Sequence, residues 1–198
     1  MSPTITYYAS PSSPWTYLGH DRLLALAAKA GAEVDLIPFE ASLFFPRTGG
    51  LPLPKRAPER QAYRMAELHR WRDFLGMPIN PEPKYFPVNS WQACRLMAAT
   101  KAEGGDVIGL TGRLLRAVWS EERNIDDAQT LGEIVGEAGL DPALMDKAAT
   151  DEMKAAVEAY AEQAIAAGIF GPPSYVVNEE PFWGQDRLEL LAWRLGVH

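Results

Sequence analysis

The residues best placed to do chemistry are two serines and a proline in a row, Ser12, Ser13 and Pro14. They follow a short strand-like run over residues 4–9 and precede an apolar pattern at helical spacing that stops at Gly31. Ser13 is a good N-cap, and Pro14 fits the first helical position, where its missing N–H costs nothing. A hydroxyl and a positive helix end would then meet at the carboxyl edge of a strand, which favours a bound thiolate, phosphate or carboxylate. A helix cap without a ligand is the alternative interpretation.

Strand patterns occur at both ends of the chain. Residues 33–39 alternate as a half-buried strand does, so the first part of the chain predicts a strand–helix–strand unit with a parallel pair. Near the other end, the pattern predicts a strand over residues 171–177 introduced by prolines, a second strand over residues 181–183, and a last helix over residues 184–194. The two ends together predict one sheet.

The middle of the chain is helical in pattern. A loop rich in proline and glycine covers residues 45–54, and nearly everything from residue 58 to about residue 168 has helical spacing. The predicted fold is therefore α/β, with a thioredoxin-like domain built from residues 1–44 and 168–198. An all-helical insertion would occupy residues 45–167.

Composition excludes several classes of function. The net charge of −7 leaves no electrostatic footprint for nucleic acid or an anionic membrane. Cys94 is the single cysteine of the sequence, so an intramolecular disulfide, a CxxC pair and a cysteine-rich zinc site are all excluded. Because Cys94 lies on an apolar helical face, it is predicted to be a core residue. Scattered histidines predict no metal site, and with no signal peptide or spanning run the expected compartment is the cytoplasm.

Several short motifs occur in the same order as in a known protein family, and together they span nearly the whole chain. On these motifs the chain resembles the 2-hydroxychromene-2-carboxylate isomerase family, relatives of kappa-class glutathione transferases with a DsbA-like thioredoxin fold. The motifs are SPWTYL at residues 13–18, LHRW at 68–71, FPVN at 86–89, AVW at 117–119, and residues 169–174 with 182–188.

The resemblance implies glutathione as cofactor, with Ser13 hydrogen-bonded to its sulfur. The chemistry needs that sulfur as a thiolate, and a free thiol with a pKa of about 8.5 is only a few per cent ionised at neutral pH. A hydroxyl donor and a helix N-terminus, together worth about 2 to 3 kcal/mol, would lower that pKa by about two units. Ser12 is a competing candidate, but only Ser13 directly precedes Pro14.

The resemblance also implies further contacts to glutathione. Pro173 matches the cis-proline of thioredoxin-like folds, whose preceding residue pairs with the cysteinyl unit. That residue is Pro172 here, which offers a carbonyl but no N–H. Gln185 and Asp186 match the positions that hold the γ-glutamyl end, where the aspartate pairs with the ligand's ammonium. Without the resemblance, Asp186 is equally well explained as a favourable charge in a first helical turn.

Substrates of this family are aromatic carboxylates. The expected substrate-binding residues are Arg64, Asn89 and Trp15, while Lys55 and Arg56 are expected to be solvated. As an alternative, Asn89 would only cap the following helix.

The predicted activity is glutathione-dependent isomerisation, and family relatives imply a homodimer. Two alternatives stay open: a kappa-like transferase or peroxidase that consumes glutathione, and a non-catalytic binding protein, which the missing N–H of Pro172 favours.

Overall fold

The computed structural model describes residues 2–197 and contains a four-stranded sheet in the order β2-β1-β3-β4. The strands are β1 (Thr4–Ala9), β2 (Glu33–Pro38), β3 (Ser174–Val177) and β4 (Glu180–Trp183). β1 pairs in parallel with β2 and antiparallel with β3, and β3 pairs antiparallel with β4. The two ends of the chain therefore share one sheet, as the sequence predicts.

Helices cover most of the remaining chain. They are α1 (Pro14–Ala30), α2 (Ala41–Thr48), α3 (Pro58–Leu75), α4 (Trp91–Ala102), α5 (Val107–Trp119), α6 (Ala128–Glu137), α7 (Leu144–Ala148), α8 (Asp151–Ala166) and α9 (Leu188–Arg194), with 3₁₀ turns at Leu53–Lys55 and Gln185–Arg187. No helix within residues 2–197 is long and apolar enough to cross a bilayer.

Local chemistry fixes both ends of α1. Ser13 caps the first turn through its side chain, with Pro14 at the first helical position. At the other end Gly31 adopts a left-handed conformation with φ of 59°, which glycine reaches without a steric penalty. The helix predicted from these signals is confirmed.

The segment predicted as a loop over residues 45–54 begins instead within a helix. The Glu40 carboxylate caps α2 by accepting from the Ser42 N–H, and the Phe44 ring stacks on Phe39 with centroids 3.6 Å apart. These contacts hold the turn although Pro46 lies inside it. The predicted domain boundary at residue 45 therefore falls inside α2.

The helical segment and the sheet share one apolar core. Ile5 of β1, Leu18 of α1, Leu96 of α4 and Trp119 of α5 are all fully buried in the same cluster. Cys94 belongs to it too, so the sequence interpretation of this thiol as a core residue is confirmed.

Acid is expected to destabilise this core through His20. The imidazole is 3% exposed, its Nδ1 lies 3.3 Å from the Tyr7 hydroxyl, and burial lowers its pKa. As the pH falls, His20 is therefore protonated in the unfolded chain before it is protonated in the folded protein. The stability that neutral His20 contributes above about pH 6.5, its unfolded pKa, is lost as the pH falls toward its lower pKa in the folded protein. We expect the stability difference between the parent and His20→Gln to shrink from pH 7.5 to pH 5.5 in urea unfolding. A difference that stays constant over this range would contradict the assignment.

Candidate active site

A cavity of about 350 Å³ opens beside the N-terminus of α1. Its walls come from six parts of the chain: the turn after β1 with the start of α1, the start of α2, the segment over residues 52–56, α3, the segment over residues 86–90, and the turn before β3. The residues that bear on its chemistry are Ser13, Trp15, Glu40, Arg64, Asn89 and Pro172.

Ser13 lies in the wall of this cavity with its hydroxyl at the helix start. The Oγ atom accepts a hydrogen bond from the Thr16 N–H at 3.3 Å, and the side chain is largely buried. Among residues 2–197 no hydrogen bond donated by this hydroxyl is found, so its hydrogen is free to point at a ligand. The neighbouring Ser12 hydroxyl instead lies 3.4 Å from that of Ser10. The positive end of α1 and one free donor thus face the same space.

Arg64 brings a buried positive charge to the same cavity. Its side chain on α3 is only 8% exposed, and its guanidinium lies over the rings of Phe86 and Trp119, at 5.1 and 5.9 Å from their centroids. Its Nη2 atom has no hydrogen-bond partner, and no carboxylate of residues 2–197 pairs with the group. Burial, and then repulsion by Arg56, lowers the pKa of Arg64 to about 10, so it stays charged at neutral pH. An unpaired buried cation of this kind suits a ligand carboxylate.

Arg56 corrects one expectation from the sequence. Lys55 is exposed, as expected, but Arg56 is half-buried and lines the cavity. Its Nε donates to the Leu51 carbonyl at 2.8 Å, and burial lowers its pKa. The backbone contact holds this side chain in place, so a second guanidinium adds to the positive potential at the cavity.

Glu40 is the cavity residue that the sequence analysis missed. Its carboxylate is 5% exposed and accepts from the Ser42 N–H at 3.0 Å, the Ser90 hydroxyl at 2.6 Å and the Cys94 thiol at 3.7 Å. One signal could have found it, since Glu40 lies two residues after the end of β2 and the carboxyl ends of parallel strands meet at one sheet edge. The cavity therefore contains buried charges of both signs.

Cys94 is expected to resist alkylation in the folded protein. Burial raises its thiol pKa well above the ordinary value, and the Glu40 carboxylate raises it further. A thiolate is the form that reacts, so iodoacetamide should label this residue only after unfolding. Rapid labelling at pH 7.5 without denaturant would contradict this picture of the site.

A cis peptide bond precedes β3, and one of its two prolines lines the cavity. The bond joins Pro172 to Pro173, and a second cis bond, Phe86–Pro87, lies in the segment over residues 86–90. Pro172 lines the cavity, while Pro173 is buried and its carbonyl accepts from the Gly184 N–H at 2.9 Å. This hydrogen bond places the turn before α9 next to the cis peptide bond.

The family model for the DSBA-like thioredoxin domain matches residues 4–196. This chain belongs to the DSBA-like thioredoxin family. A 2-hydroxychromene-2-carboxylate isomerase of Sphingobium xenophagum is 26% identical over 195 residues, 96% of this chain and 97% of that relative.

Solved structures agree with the family assignment. The structure of a 2-hydroxychromene-2-carboxylate isomerase superposes with a TM-score of 0.84 at 23% identity, over 98% of this chain and 94% of the other. The structure of cytosolic disulfide reductase DsbM of Pseudomonas aeruginosa with GSH superposes with a TM-score of 0.67 at 20% identity. This match covers 98% of this chain and 100% of the other. The thioredoxin-like fold and the resemblance to these isomerases are confirmed.

This DSBA-like chain has Ser13 and Thr16 where a dithiol motif would have its two cysteines. With its one cysteine in the core, it has no redox pair at the helix start. Within residues 2–197, no group of three His, Cys, Asp or Glu side chains could hold a metal ion.

Gln185 does not reach the cavity of the DSBA-like fold. Its side chain is 2% exposed and its Oε1 accepts from Arg22 of α1. The backbones approach so closely that a Cβ added at Gly19 would lie 2.8 Å from the Gln185 Cβ. Asp186 is exposed and pairs with Arg187 at 3.1 Å. Of the two predicted contacts to the γ-glutamyl end, only Asp186 is accessible to a ligand, and its role stays a prediction.

Asn89 and Trp15 both line the cavity. The Asn89 side-chain oxygen accepts from the Trp91 N–H at 3.2 Å, and its amide donates to Asp126 at 2.9 Å. Asn89 therefore supports the start of α4 as well as the cavity wall. Trp15 is half-buried, packed on the core with part of its ring open to the cavity.

Proposed function

We propose that this protein is a glutathione-dependent isomerase of aromatic carboxylates, with 2-hydroxychromene-2-carboxylate or a close relative as substrate. One observation carries the proposal: a buried guanidinium without a carboxylate partner, Arg64, shares a cavity with a free hydroxyl donor at a helix N-terminus, Ser13. The isomerase named above, which matches nearly the whole chain, supports the same activity.

Two residues that line the cavity can contact glutathione: the Ser13 hydroxyl can donate to the sulfur, and the Pro172 carbonyl can accept from the cysteinyl N–H. Asp186 lies outside the cavity lining and pairs with Arg187 at 3.1 Å, and its exposed carboxylate is the group that would pair with the ammonium. Bound glutathione would supply a thiolate able to add to an activated double bond and to leave after a single bond has rotated.

The protein's own groups would stabilise charge and orient the substrate. Ser13 and the α1 N-terminus favour the ionised sulfur by about 2 to 3 kcal/mol, enough to make the thiolate the majority form at neutral pH. Arg64 binds the substrate carboxylate, and Arg56 strengthens the local positive potential. The Trp15 ring provides an apolar surface for the aromatic part of the substrate.

Titration of glutathione tests this proposal. Ultraviolet difference absorbance at pH 7 should show a thiolate signal that saturates in the parent and is absent in Ser13→Ala. If the parent gives no signal and calorimetry detects no binding, the missing Pro172 N–H has removed a needed contact. The binding-protein alternative would then take the place of the isomerase.

The proposal includes two further expectations from the resemblance. The active form is a homodimer, and it works in the cytoplasm, where reduced glutathione is abundant. Analytical ultracentrifugation tests the first and cell fractionation the second. No nucleic acid or membrane partner is part of the proposal.

A further inference from the structure

The cavity contains a buried carboxylate that the proposed chemistry does not use. Glu40 is 5% exposed, and none of the Lys, Arg and His side chains of residues 2–197 forms an ion pair with it. A carboxylate buried without a cation costs free energy unless hydrogen bonds or a ligand compensate for it.

Hydrogen bonds within the protein fill only some of the acceptor sites of the Glu40 carboxylate. Its donors are the Ser42 N–H at 3.0 Å, the Ser90 hydroxyl at 2.6 Å and the weak Cys94 thiol at 3.7 Å. A carboxylate offers about four acceptor sites, so one site is left for a donor in the cavity that Glu40 lines.

One short segment links this carboxylate to the unpaired guanidinium. Phe86 lies under Arg64 at 5.1 Å, and Ser90, four residues later, donates to Glu40. Glu40 and Arg64 also both line the same cavity of about 350 Å³, so their opposite charges border the space that one small ligand would occupy. A ligand that satisfies both needs an anion and a nearby hydrogen-bond donor.

We propose that Glu40 is a substrate-specificity residue that accepts a hydrogen bond from a hydroxyl beside the substrate carboxylate, while Arg64 binds that carboxylate. The inference rests on the proposed function and narrows its substrate class to aromatic α-hydroxy carboxylates, the grouping at C2 of 2-hydroxychromene-2-carboxylate. An acid without the hydroxyl leaves Glu40 unpaired and facing a like charge. Glu40 therefore also selects against such acids.

Mandelate and phenylacetate are suitable probes, because they differ only in a hydroxyl on the carbon that bears the carboxylate. Isothermal titration should show mandelate binding to the parent about 10-fold or more tightly than phenylacetate, since hydrogen bonds to charged groups contribute about 1.5 to 3 kcal/mol. In Glu40→Gln this ratio should fall below about 3-fold, with phenylacetate affinity unchanged or improved.

Ser90→Ala is the matched control, because it removes one hydrogen bond to Glu40 and keeps the charge. It should retain most of the preference for mandelate. If Glu40 had only a structural role, Glu40→Gln would weaken both acids equally. That result, equal affinities in the parent, or no binding of either acid by the parent would overturn the inference.

This experiment needs neither glutathione nor turnover, so the two proposals can fail separately. A protein that prefers mandelate but gives no thiolate signal keeps the Glu40 inference and loses the isomerase. A protein that gives the thiolate signal without the preference loses only the inference.

Discussion

Replacing Ser13 with alanine is expected to lower kcat/KM for glutathione-dependent turnover at pH 7 about 10- to 100-fold. The variant loses a hydroxyl donor to a charged sulfur, an interaction worth about 1.5 to 3 kcal/mol. The pKa of the bound thiol should rise by about one to two units for the same reason. The rate profile should therefore shift to higher pH, and the activity of the variant should partly recover near pH 9.

Two controls separate this effect from damage to the fold. Ser13→Ala also removes the N-cap of α1, which costs about 1 kcal/mol of stability. Thr150→Ala removes the cap of α8, where Oγ1 accepts from the Met153 N–H at 3.4 Å, and Thr150 does not line the cavity. Thr150→Ala should lose similar stability and keep its activity. Ser12→Ala should leave the pH profile unchanged, and a shift as large as that of Ser13→Ala would contradict the assignment.

Arg64→Met is expected to impair binding and to stabilise the fold. Loss of the carboxylate partner should raise KM for the aromatic acid about 30-fold or more, equivalent to about 2 kcal/mol. An unpaired buried guanidinium is costly, so an apolar side chain of similar length should raise the free energy of unfolding, after lost ring contacts, by about 1 kcal/mol. Steady-state kinetics and urea unfolding measure the two effects.

Arg70→Met is the matched control on the same helix, since Arg70 is exposed and pairs with Glu67 at 2.5 Å. It should change neither KM nor stability by a measurable amount. Arg64→Lys should keep part of the affinity through its charge but lose the planar contact to the rings. An Arg64→Met variant that is destabilised and keeps its KM would show that Arg64 is structural.

The elements that could be predicted from the sequence are those whose signals lie close together along the chain. Strand β1, the start of α1 at Ser13 and its end at Gly31 follow from alternation, a cap and a left-handed glycine. The shared sheet could be predicted because the order of the elements leaves few topologies. Ser13 could be predicted as the helix cap because Pro14, the residue next to it, marks the start of the helix.

Three features that the sequence did not predict correctly, helix α2 and the positions of Arg56 and Gln185, depend on contacts within the folded protein. Pro46 indicated a loop, but Glu40 and the buried Phe44 hold the helix α2. Arg56 was expected in solvent, and its contact to the Leu51 carbonyl holds it at the cavity. Gln185 is turned away from the cavity by Arg22 of α1. The contact between Arg22 and Gln185 joins distant parts of the sequence. The contacts of Phe44 with Phe39 and of Arg56 with Leu51 join residues only five positions apart, but no hydrophobic period in the sequence marks them.

Turnover of 2-hydroxychromene-2-carboxylate with catalytic amounts of glutathione tests the proposed isomerase activity most directly. We expect conversion to an isomer of the same mass, no conversion without glutathione, and an unchanged amount of free glutathione after many turnovers. Glutathione consumed in proportion to product would identify a transferase or peroxidase at the same site. No conversion at saturating glutathione would contradict the isomerase assignment itself.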